Sequence, residues 1–263
     1  MLFSTLDWLL YTIFILCIGS YAAAFTVRWP IKNNYLWEKE AHTFLSLPFH
    51  QKPPDSLNSR RSFCLQCHHF LNWKDLVPLL SYLFLKGRCR YCQSKISVRY
   101  FVIESLHLLV CLPLLFFFQD PYLLILHTLL ISALLSSAVI DSEHQLIPDE
   151  CSTFTLACAL LINLSSNTLE NSVLGMIVGY AVICAIRAFY LSYRKQEGIG
   201  LGDAKIIAAL GAWIGIEGLA PMLLCASLSG ILYTLLINKN WSNYLAFGPF
   251  LIFSSLLVFY FNL

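Results

Sequence analysis

The stretch that decides the fold is 121-PYLLILHTLLISALLSSAVID-141, an apolar run that ends in one acidic residue. No Asp, Glu, Lys or Arg occurs in its first twenty residues. A helix needs about 20 apolar residues to cross the hydrocarbon core of a bilayer. The stretch therefore predicts a membrane-spanning helix over 121–140, with Asp141 at its carboxyl end.

The rest of the chain shares this apolar character. Of its 263 residues, 58% are apolar and 12% are charged, and the mean hydropathy is +0.67. Soluble domains have about 25% charged residues, so we expect an all-α polytopic membrane protein with about eight transmembrane helices. The apolar runs are 7–27, 101–118, 121–140, 150–166, 172–193, 204–217, 218–237 and 244–262. The sixth run is short and the fourth is marginal, which leaves counts of seven and nine open.

The charges are distributed unevenly along the chain. Residues 28–99 contain twelve of the seventeen Lys and Arg residues but only four of the fifteen Asp and Glu residues. The positive-inside rule places such a segment in the cytoplasm. We therefore expect a first transmembrane helix (1–27), a cytoplasmic domain (28–100) and a transmembrane core (101–263). With membrane on both sides of the basic domain, anionic lipid is a better partner for it than nucleic acid.

The cytoplasmic domain contains two C-x2-C pairs, Cys64 with Cys67 and Cys89 with Cys92, separated by 21 residues. Two such pairs can complete a tetrahedral site of four thiolates, which is the arrangement of closed, structural zinc sites. Two disulfides or four unlinked thiols are the alternatives, and a reducing cytoplasm disfavours disulfides. His68 or His69 could replace one thiolate, but a histidine whose hydrogen bonds are satisfied within the loop is the favoured interpretation of both. The sequence predicts a small zinc-binding loop domain, which suits a short segment with a thin apolar core.

Three acidic residues lie at the predicted cytoplasmic ends of transmembrane helices. Asp149 follows Pro148 at a helix start, where the helix dipole stabilises a carboxylate and gives it a structural explanation. Asp141 lies at a helix carboxyl end, where the dipole disfavours a negative charge. Asp141 is therefore the stronger functional candidate of the two. The third acid, Asp203, also precedes an apolar run.

Asp203 follows three alternating glycines in 198-GIGLGDAK-205. Gly198, Gly200 and Gly202 lack side chains, so their backbone can approach a ligand closely. The pattern is neither a dinucleotide fingerprint nor a Walker loop, because no preceding strand of an α/β unit and no G-K-S/T accompany it. Glycines that end in an acid at a membrane boundary favour a site in which Gly200 and Gly202 position substrate or backbone around Asp203.

Asp141 and Asp203 together suit the chemistry of aspartyl proteolysis. Two carboxylates that lie close together in a low-dielectric site cannot both ionise, so they share one proton. The ionised member can activate a water molecule, while the protonated member donates to a peptide carbonyl. The sequence contains no H-E-x-x-H and no G-x-S-x-G, the motifs of two other protease classes.

Five stretches resemble the prepilin peptidases, the type IV leader peptidase family of GxGD-type membrane aspartyl proteases. They are 17-CIGSYAAAFTVRWP-30, the cysteine segment from Cys64 to Glu104, 140-IDSEHQLIPD-149, 198-GIGLGDAKIIAALGAWIG-215 and 247-FGPFL-251. The chain departs from the family pattern at Tyr21, Ala23 and Ala24, which replace the usual Phe, Asn and Val. Lys74 and Asp75 stand where the family commonly has Asp-Asn. The resemblance covers nearly the whole chain.

The resemblance implies that Asp141 and Asp203 are the catalytic pair. It implies cleavage of the short basic leaders of type IV prepilins and type II secretion pseudopilins, usually at a Gly–Phe bond, at the cytoplasmic face of the bacterial inner membrane. Relatives with the cysteine-bearing loop commonly also N-methylate the new amino terminus, using S-adenosylmethionine. No Rossmann-type glycine loop for that methyl donor is present in the sequence.

Two other classes of protein remain open at this point. Intramembrane acids flanked by glycines also occur in proton-coupled transporters, although no inverted sequence repeat is visible to support that interpretation. A scaffold of a secretion system is the third class. Neither alternative requires Asp141 and Asp203 to act on a peptide bond, so cleavage of a prepilin separates them from the protease.

Overall fold

The computed structural model describes residues 4–54, 62–64, 66–195, 200–236 and 245–262. The helices of this part of the chain are α1 (Thr5–Phe44), α2 (Leu80–Phe84), α3 (Val98–Cys111), α4 (Leu114–Phe117), α5 (Pro121–His144), α6 (Asp149–Ser165), α7 (Leu169–Arg194), α8 (Leu201–Leu236) and α9 (Gly248–Phe261). No strand occurs in these residues, so the expected all-helical class is confirmed for the described chain.

Within the described residues, five helical segments are long and apolar enough to cross a membrane. They are Thr5–Phe44, Val98–Phe117, Pro121–His144, Leu169–Arg194 and Leu201–Leu236, and Gly248–Phe261 is a shorter apolar helix. The number of eight transmembrane helices remains a prediction.

The described chain forms two compact units, residues 1–113 and 114–263. In the first unit α1 packs against α3, and the Tyr11 hydroxyl donates a hydrogen bond to the carbonyl of Cys111 at 3.0 Å. In the second unit α8 packs against α7, α6 and α9, and α5 packs against α6 and α9. The candidate acidic residues all belong to the second unit, whereas the four-cysteine segment belongs to the first.

Helix α1 is longer than the apolar run that predicted it. The run ends near residue 27, but the helix continues through Pro30 to Phe44. Residues 35–41, YLWEKEA, are rich in good helix formers such as Leu, Glu, Lys and Ala, which explains the continuation. The segment 28–44, predicted to belong to the cytoplasmic domain, is thus helical and continuous with the first apolar helix.

Helix α8 contains a sharp turn at Gly215, with φ 76° and ψ 174°. Only glycine adopts this backbone conformation readily. Leu219 Cδ2 lies 3.2 Å from a Cβ built on Gly211, although eight residues of unbroken helix span about 12 Å. The chain therefore folds back at Gly215, in agreement with two separate apolar runs that meet near residue 217.

Side chains of α6 and α7 satisfy backbone groups around this turn. Asn163 and Ser172 both donate to the carbonyl of Ala212, at 3.0 and 2.6 Å. The Ile216 amide donates to Asn171 Oδ1 at 3.1 Å. A backbone group left without a partner in an apolar environment is costly, so these amide and hydroxyl groups make the turn tolerable inside the helical unit.

Candidate functional site

The four cysteines of the first unit converge on one point. Their sulfur atoms all lie within 4.8 Å of one another, and the sulfurs of Cys64 and Cys92 are 3.8 Å apart. Zn–S bonds of about 2.3 Å in a tetrahedron require S···S distances of about 3.8 Å. None of the ten cysteines is in a disulfide. The geometry therefore fits a four-thiolate metal site formed by Cys64, Cys67, Cys89 and Cys92.

Both C-x2-C pairs lie in turns of the same construction. The first cysteine of each pair donates its amide to the carbonyl five residues ahead, from Cys64 to His69 at 3.0 Å and from Cys89 to Ser94 at 2.9 Å. The residue after each second cysteine, His68 or Gln93, has a positive φ of 55° or 59°. The two turns therefore present their sulfur atoms in the same way, and the sequence pattern alone did not specify this backbone.

The surroundings of Cys64 and Cys92 favour thiolates. Burial disfavours the ionised form of Cys64, but hydrogen bonds from the backbone of Cys67 and Gln66 and from the Ser94 hydroxyl outweigh it and lower the pKa of that thiol to about 6. The Ser94 hydroxyl and amide also lower the pKa of Cys92. At Cys67 a hydrogen bond from the His69 backbone lowers the pKa, but burial and the neighbouring Cys92 and Cys64 side chains outweigh it and raise that pKa to about 11. Thiolates are the form of cysteine that binds metal.

The two histidines beside Cys67 pack against aromatic rings. The His69 ring lies 3.8 Å from the Tyr91 ring centre, and the His68 ring lies 5.9 Å from that of Phe63. Neither belongs to the group of converging ligand atoms. Among the described residues the set of candidate ligands therefore consists of the four cysteines.

Asp141 occupies the last turn of α5 and is 5% exposed. Its Oδ2 accepts a hydrogen bond from the amide of Gly248 at 2.9 Å, so the first residue of α9 holds this carboxylate. A Cβ built on Gly248 would lie 2.6 Å from the same oxygen. Only glycine leaves room for this contact, which gives the glycine of 247-FGPFL-251 a role that the sequence interpretation did not assign.

Asp203 lies in the first turn of α8, half buried, and the backbone of Gly200 donates a hydrogen bond to its carboxylate. The carboxylates of Asp141 and Asp203 are close enough to interact electrostatically. The structure thus brings together the two acids that the sequence singled out, from helices far apart in the chain. Gly202, the residue before Asp203, packs closely against the side chain of Ile147. A Cβ added to Gly202 would lie 3.3 Å from the Cβ of Ile147. Gly198 lies outside the described residues.

Asp149 has a different partner. Both of its carboxylate oxygens accept hydrogen bonds from Lys205 Nζ at 2.7 Å. The two side chains are 65% and 47% exposed, so this ion pair lies at the surface. It connects the first turn of α6 to α8 two residues beyond Asp203. The carboxylate of Asp149 therefore has a structural partner, which the sequence interpretation missed because Lys205 is 56 residues away.

Two family descriptions match the chain. Residues 13–118 match the bacterial peptidase A24 N-terminal domain, and residues 128–235 match the type IV leader peptidase family. No solved structure matches the chain at a significant level.

Several relatives are similar to this chain over almost its full length. A prepilin leader peptidase/N-methyltransferase of Aeromonas salmonicida is 34% identical over 258 residues, which cover 94% of this chain and 89% of the relative. One from Neisseria gonorrhoeae is 30% identical over 93% of this chain and 87% of the relative. A type 4 prepilin-like proteins leader peptide-processing enzyme of Escherichia coli is 34% identical over 89% and 86% of the two chains.

Proposed function

The chain belongs to the type IV leader peptidase family, and from this premise we propose that it is an aspartyl prepilin peptidase in which Asp141 and Asp203 form the catalytic pair. The observation that carries the proposal is the approach of these two carboxylates from α5 and α8, with the Gly248 amide on Asp141. Membership of the family makes the chain an enzyme, a protease with methyltransferase activity.

The pair would act on a water molecule and a peptide bond. One carboxylate removes a proton from the water, whose oxygen attacks the carbonyl carbon, while the protonated partner donates to the carbonyl oxygen. Collapse of the tetrahedral intermediate then breaks the C–N bond, and the leaving amine takes up a proton. The Gly248 N–H fixes the orientation of the Asp141 carboxylate during these steps, because a charge-assisted hydrogen bond is both short and directional.

Gly200 and Gly202 serve this site as positioning residues. The Gly200 backbone donates to the Asp203 carboxylate, and Gly202 allows the start of α8 to approach Ile147. A side chain at Gly200 would lie 3.5 Å from Asp203 Oδ2, where the substrate backbone has to enter, and one at Gly202 would press against Ile147. Gly200 thus keeps one face of the catalytic acid accessible, and Gly202 allows the start of α8 to pack closely.

The proposed substrates are type IV prepilins and type II secretion pseudopilins, cleaved between the basic leader and the apolar segment, usually at Gly–Phe. The site faces the cytoplasm in a multi-pass protein of the bacterial inner membrane. A basic leader is not attracted by the basic segment 28–99, so contacts between apolar helices and the surrounding lipid supply much of the binding. Nucleic acid has no part in this function.

The four cysteines would bind one structural zinc ion. Zinc bound to four thiolates has no open coordination position for a substrate, so its contribution is to hold the two C-x2-C turns together. We propose the corresponding organisation of the chain: a first transmembrane helix (1–27), a cytoplasmic four-cysteine zinc-binding domain (28–100) and a transmembrane protease core (101–263). The full complement of about eight transmembrane helices belongs to this proposal.

N-methylation of the newly formed amino terminus is the proposed second activity. S-adenosylmethionine supplies the methyl group as an electrophilic carbon on a sulfonium. The protein has to bind this donor and accept the proton that leaves the substrate amine. Both requirements fall on residues of this chain.

Purified protein and a synthetic prepilin peptide test the cleavage. Asp141→Asn and Asp203→Asn should each abolish cleavage, while the matched control Asp149→Asn should retain it, since Asp149 is engaged by Lys205 at the surface. Full cleavage by Asp141→Asn together with loss in Asp149→Asn would reject this assignment of the acids. Proton flux without cleavage in reconstituted vesicles would favour a transporter instead.

A further inference from the structure

Helix α2 of the first unit exposes three large apolar side chains. Leu80, Leu83 and Phe84 are 51%, 58% and 83% exposed. Because residues three and four positions apart are neighbours on a helix, these side chains share one side of α2, which we call the α2 face. A cluster of exposed apolar side chains marks a contact with another protein or with lipid.

The opposite side of α2 is attached to an apolar helix. The amide of Leu79, directly before α2, donates a hydrogen bond to Glu104 Oε2 at 2.7 Å. The ring of Tyr82 packs against that of Phe101, with ring centres 5.4 Å apart. Glu104 and Phe101 both belong to α3. Helix α2 therefore lies alongside the first two turns of α3.

These contacts indicate the depth of α2 in a membrane. The segment Val98–Phe117 is apolar and has 20 residues, so it is about 30 Å long and matches the hydrocarbon core. Phe101 and Glu104 follow its first residue by about 5 and 9 Å along the axis. An amphipathic helix in the membrane interface buries its apolar face by about 5–10 Å. The α2 face thus lies at the boundary between headgroups and acyl chains.

Basic residues follow α2 directly. Lys86 and Arg88 are both exposed, and so is Lys95. Arg88 and Lys95 stand opposite each other in an antiparallel bridge. Like charges in directly opposite positions repel each other, and an anionic partner would remove this cost. The headgroups of anionic lipids, which lie next to the acyl chains, supply such a partner.

We propose that α2 is an interfacial membrane anchor. Its face of Leu80, Leu83 and Phe84 enters the outer part of the acyl-chain region, while Lys86 and Arg88 bind anionic headgroups of the same leaflet. The chain continues from this anchor into the second C-x2-C turn. The anchor therefore holds the cysteine segment at the membrane surface, and it gives the basic segment a defined contact with lipid.

The apolar helix of a substrate is a second candidate for covering the α2 face, but two observations favour lipid. Helix α2 has five residues, which is about 7.5 Å of helix. Recognition of an apolar helix uses a groove that accommodates several turns. The basic residues beside α2 would also repel the basic leader of the proposed substrates, whereas they attract anionic lipid.

Photocross-linking of the full-length protein in lipid nanodiscs tests the anchor. Benzoylphenylalanine replaces Phe84, and mass spectrometry identifies the adducts formed on irradiation, with and without an added prepilin. The discs contain phosphatidylcholine and phosphatidylglycerol in equal amounts. We expect adducts to acyl chains, with phosphatidylglycerol enriched by at least about fivefold, which corresponds to about 1 kcal/mol for one basic side chain at an anionic surface.

The matched control is the same replacement at Phe70, which is 54% exposed. Phe70 precedes Leu71, whose amide donates to the carbonyl of Ser62, and Ser62 Oγ accepts a hydrogen bond from Arg28 at 3.4 Å. Arg28 follows the apolar run of α1, so this part of the cysteine segment lies beyond the membrane depth of α2. We expect at least about tenfold fewer lipid adducts at Phe70 than at Phe84.

Two double variants separate the apolar contribution from the charged one. Leu80→Gln with Leu83→Gln should lower the yield of lipid adducts at position 84 by at least about fivefold, because less apolar surface is buried. Lys86→Gln with Arg88→Gln should keep this yield but remove the enrichment of phosphatidylglycerol. All four side chains are exposed, so both variants should unfold in detergent at the same temperature as the wild type.

Three results would overturn the anchor. Lipid adducts as rare at Phe84 as at Phe70 would place the α2 face in water. Adducts to the added prepilin in place of lipid would assign the face to the substrate. Equal yields with the two lipids would reject the headgroup contact. Because none of these measurements depends on cleavage of a peptide bond, the peptidase assignment is tested separately.

Discussion

Substitution of Gly248 by alanine is expected to impair catalysis without unfolding the protein. The new Cβ would lie 2.6 Å from Asp141 Oδ2, so the carboxylate has to move away from the amide that it contacts at 2.9 Å. Loss of a hydrogen bond to a charged group costs about 1.5–3 kcal/mol. At about 1.4 kcal/mol per factor of ten, kcat/KM for prepilin cleavage should fall roughly 10- to 150-fold.

The assay is cleavage of a prepilin peptide by purified protein, with thermal unfolding measured in parallel. The control is Gly230→Ala in α8, where the nearest atom to the new Cβ, Leu245 Cδ2, is at an ordinary 3.4 Å. This control should retain both activity and stability. A Gly248→Ala protein with unchanged kcat/KM would refute the idea that the Gly248 amide orients the catalytic carboxylate, and so would an equal loss of activity in the control.

Three further predictions concern other parts of the chain. Lys205→Met removes the exposed ion pair with Asp149 and should change kcat/KM for prepilin cleavage less than about fivefold. The reason is that exposed ion pairs contribute about 0–1 kcal/mol. A hundredfold loss of kcat/KM would instead mean that the pair takes part in catalysis. Elemental analysis of the purified wild type should find about one equivalent of zinc, and the double variant Cys64→Ser with Cys89→Ser should lose it. A wild-type protein that has a folded cysteine segment but contains no metal would reject the zinc site. Gly215→Ala should lower the free energy of unfolding by about 1–3 kcal/mol, because only glycine adopts the backbone conformation at this position readily. The measurement is denaturant titration in detergent, with Gly230→Ala as the control. Equal stability of the two variants would contradict the strained turn.

Patterns of residue type predicted much of the molecule. Apolar runs of about 20 residues indicated the helical membrane class, because the bilayer sets the length of a spanning helix. The C-x2-C spacing predicted the convergence of Cys64, Cys67, Cys89 and Cys92, because a short turn directs two sulfurs to one point. The unfavourable location of Asp141 at a helix carboxyl end singled it out as a functional candidate, and the structure places it within electrostatic range of Asp203. Its catalytic role stays a prediction.

Features that depend on distant parts of the chain could not be predicted in this way. The contact between Asp141 and Gly248 joins residues 107 positions apart, and no local pattern encodes it. The ion pair of Asp149 with Lys205 likewise arises from helix packing. The extension of α1 to Phe44 was missed for another reason: the apolar run marks the membrane segment, whereas helix propensity continues beyond it.

The central claim is that Asp141 and Asp203 act as one unit on one water molecule. The most direct measurement compares the single-turnover cleavage rates of Asp141→Asn, Asp203→Asn and the double variant. Residues that act as a unit give grossly non-additive losses. We predict that each single variant is as inactive as the double. A single variant that retains substantial cleavage, or losses that multiply in the double variant, would contradict a shared catalytic pair.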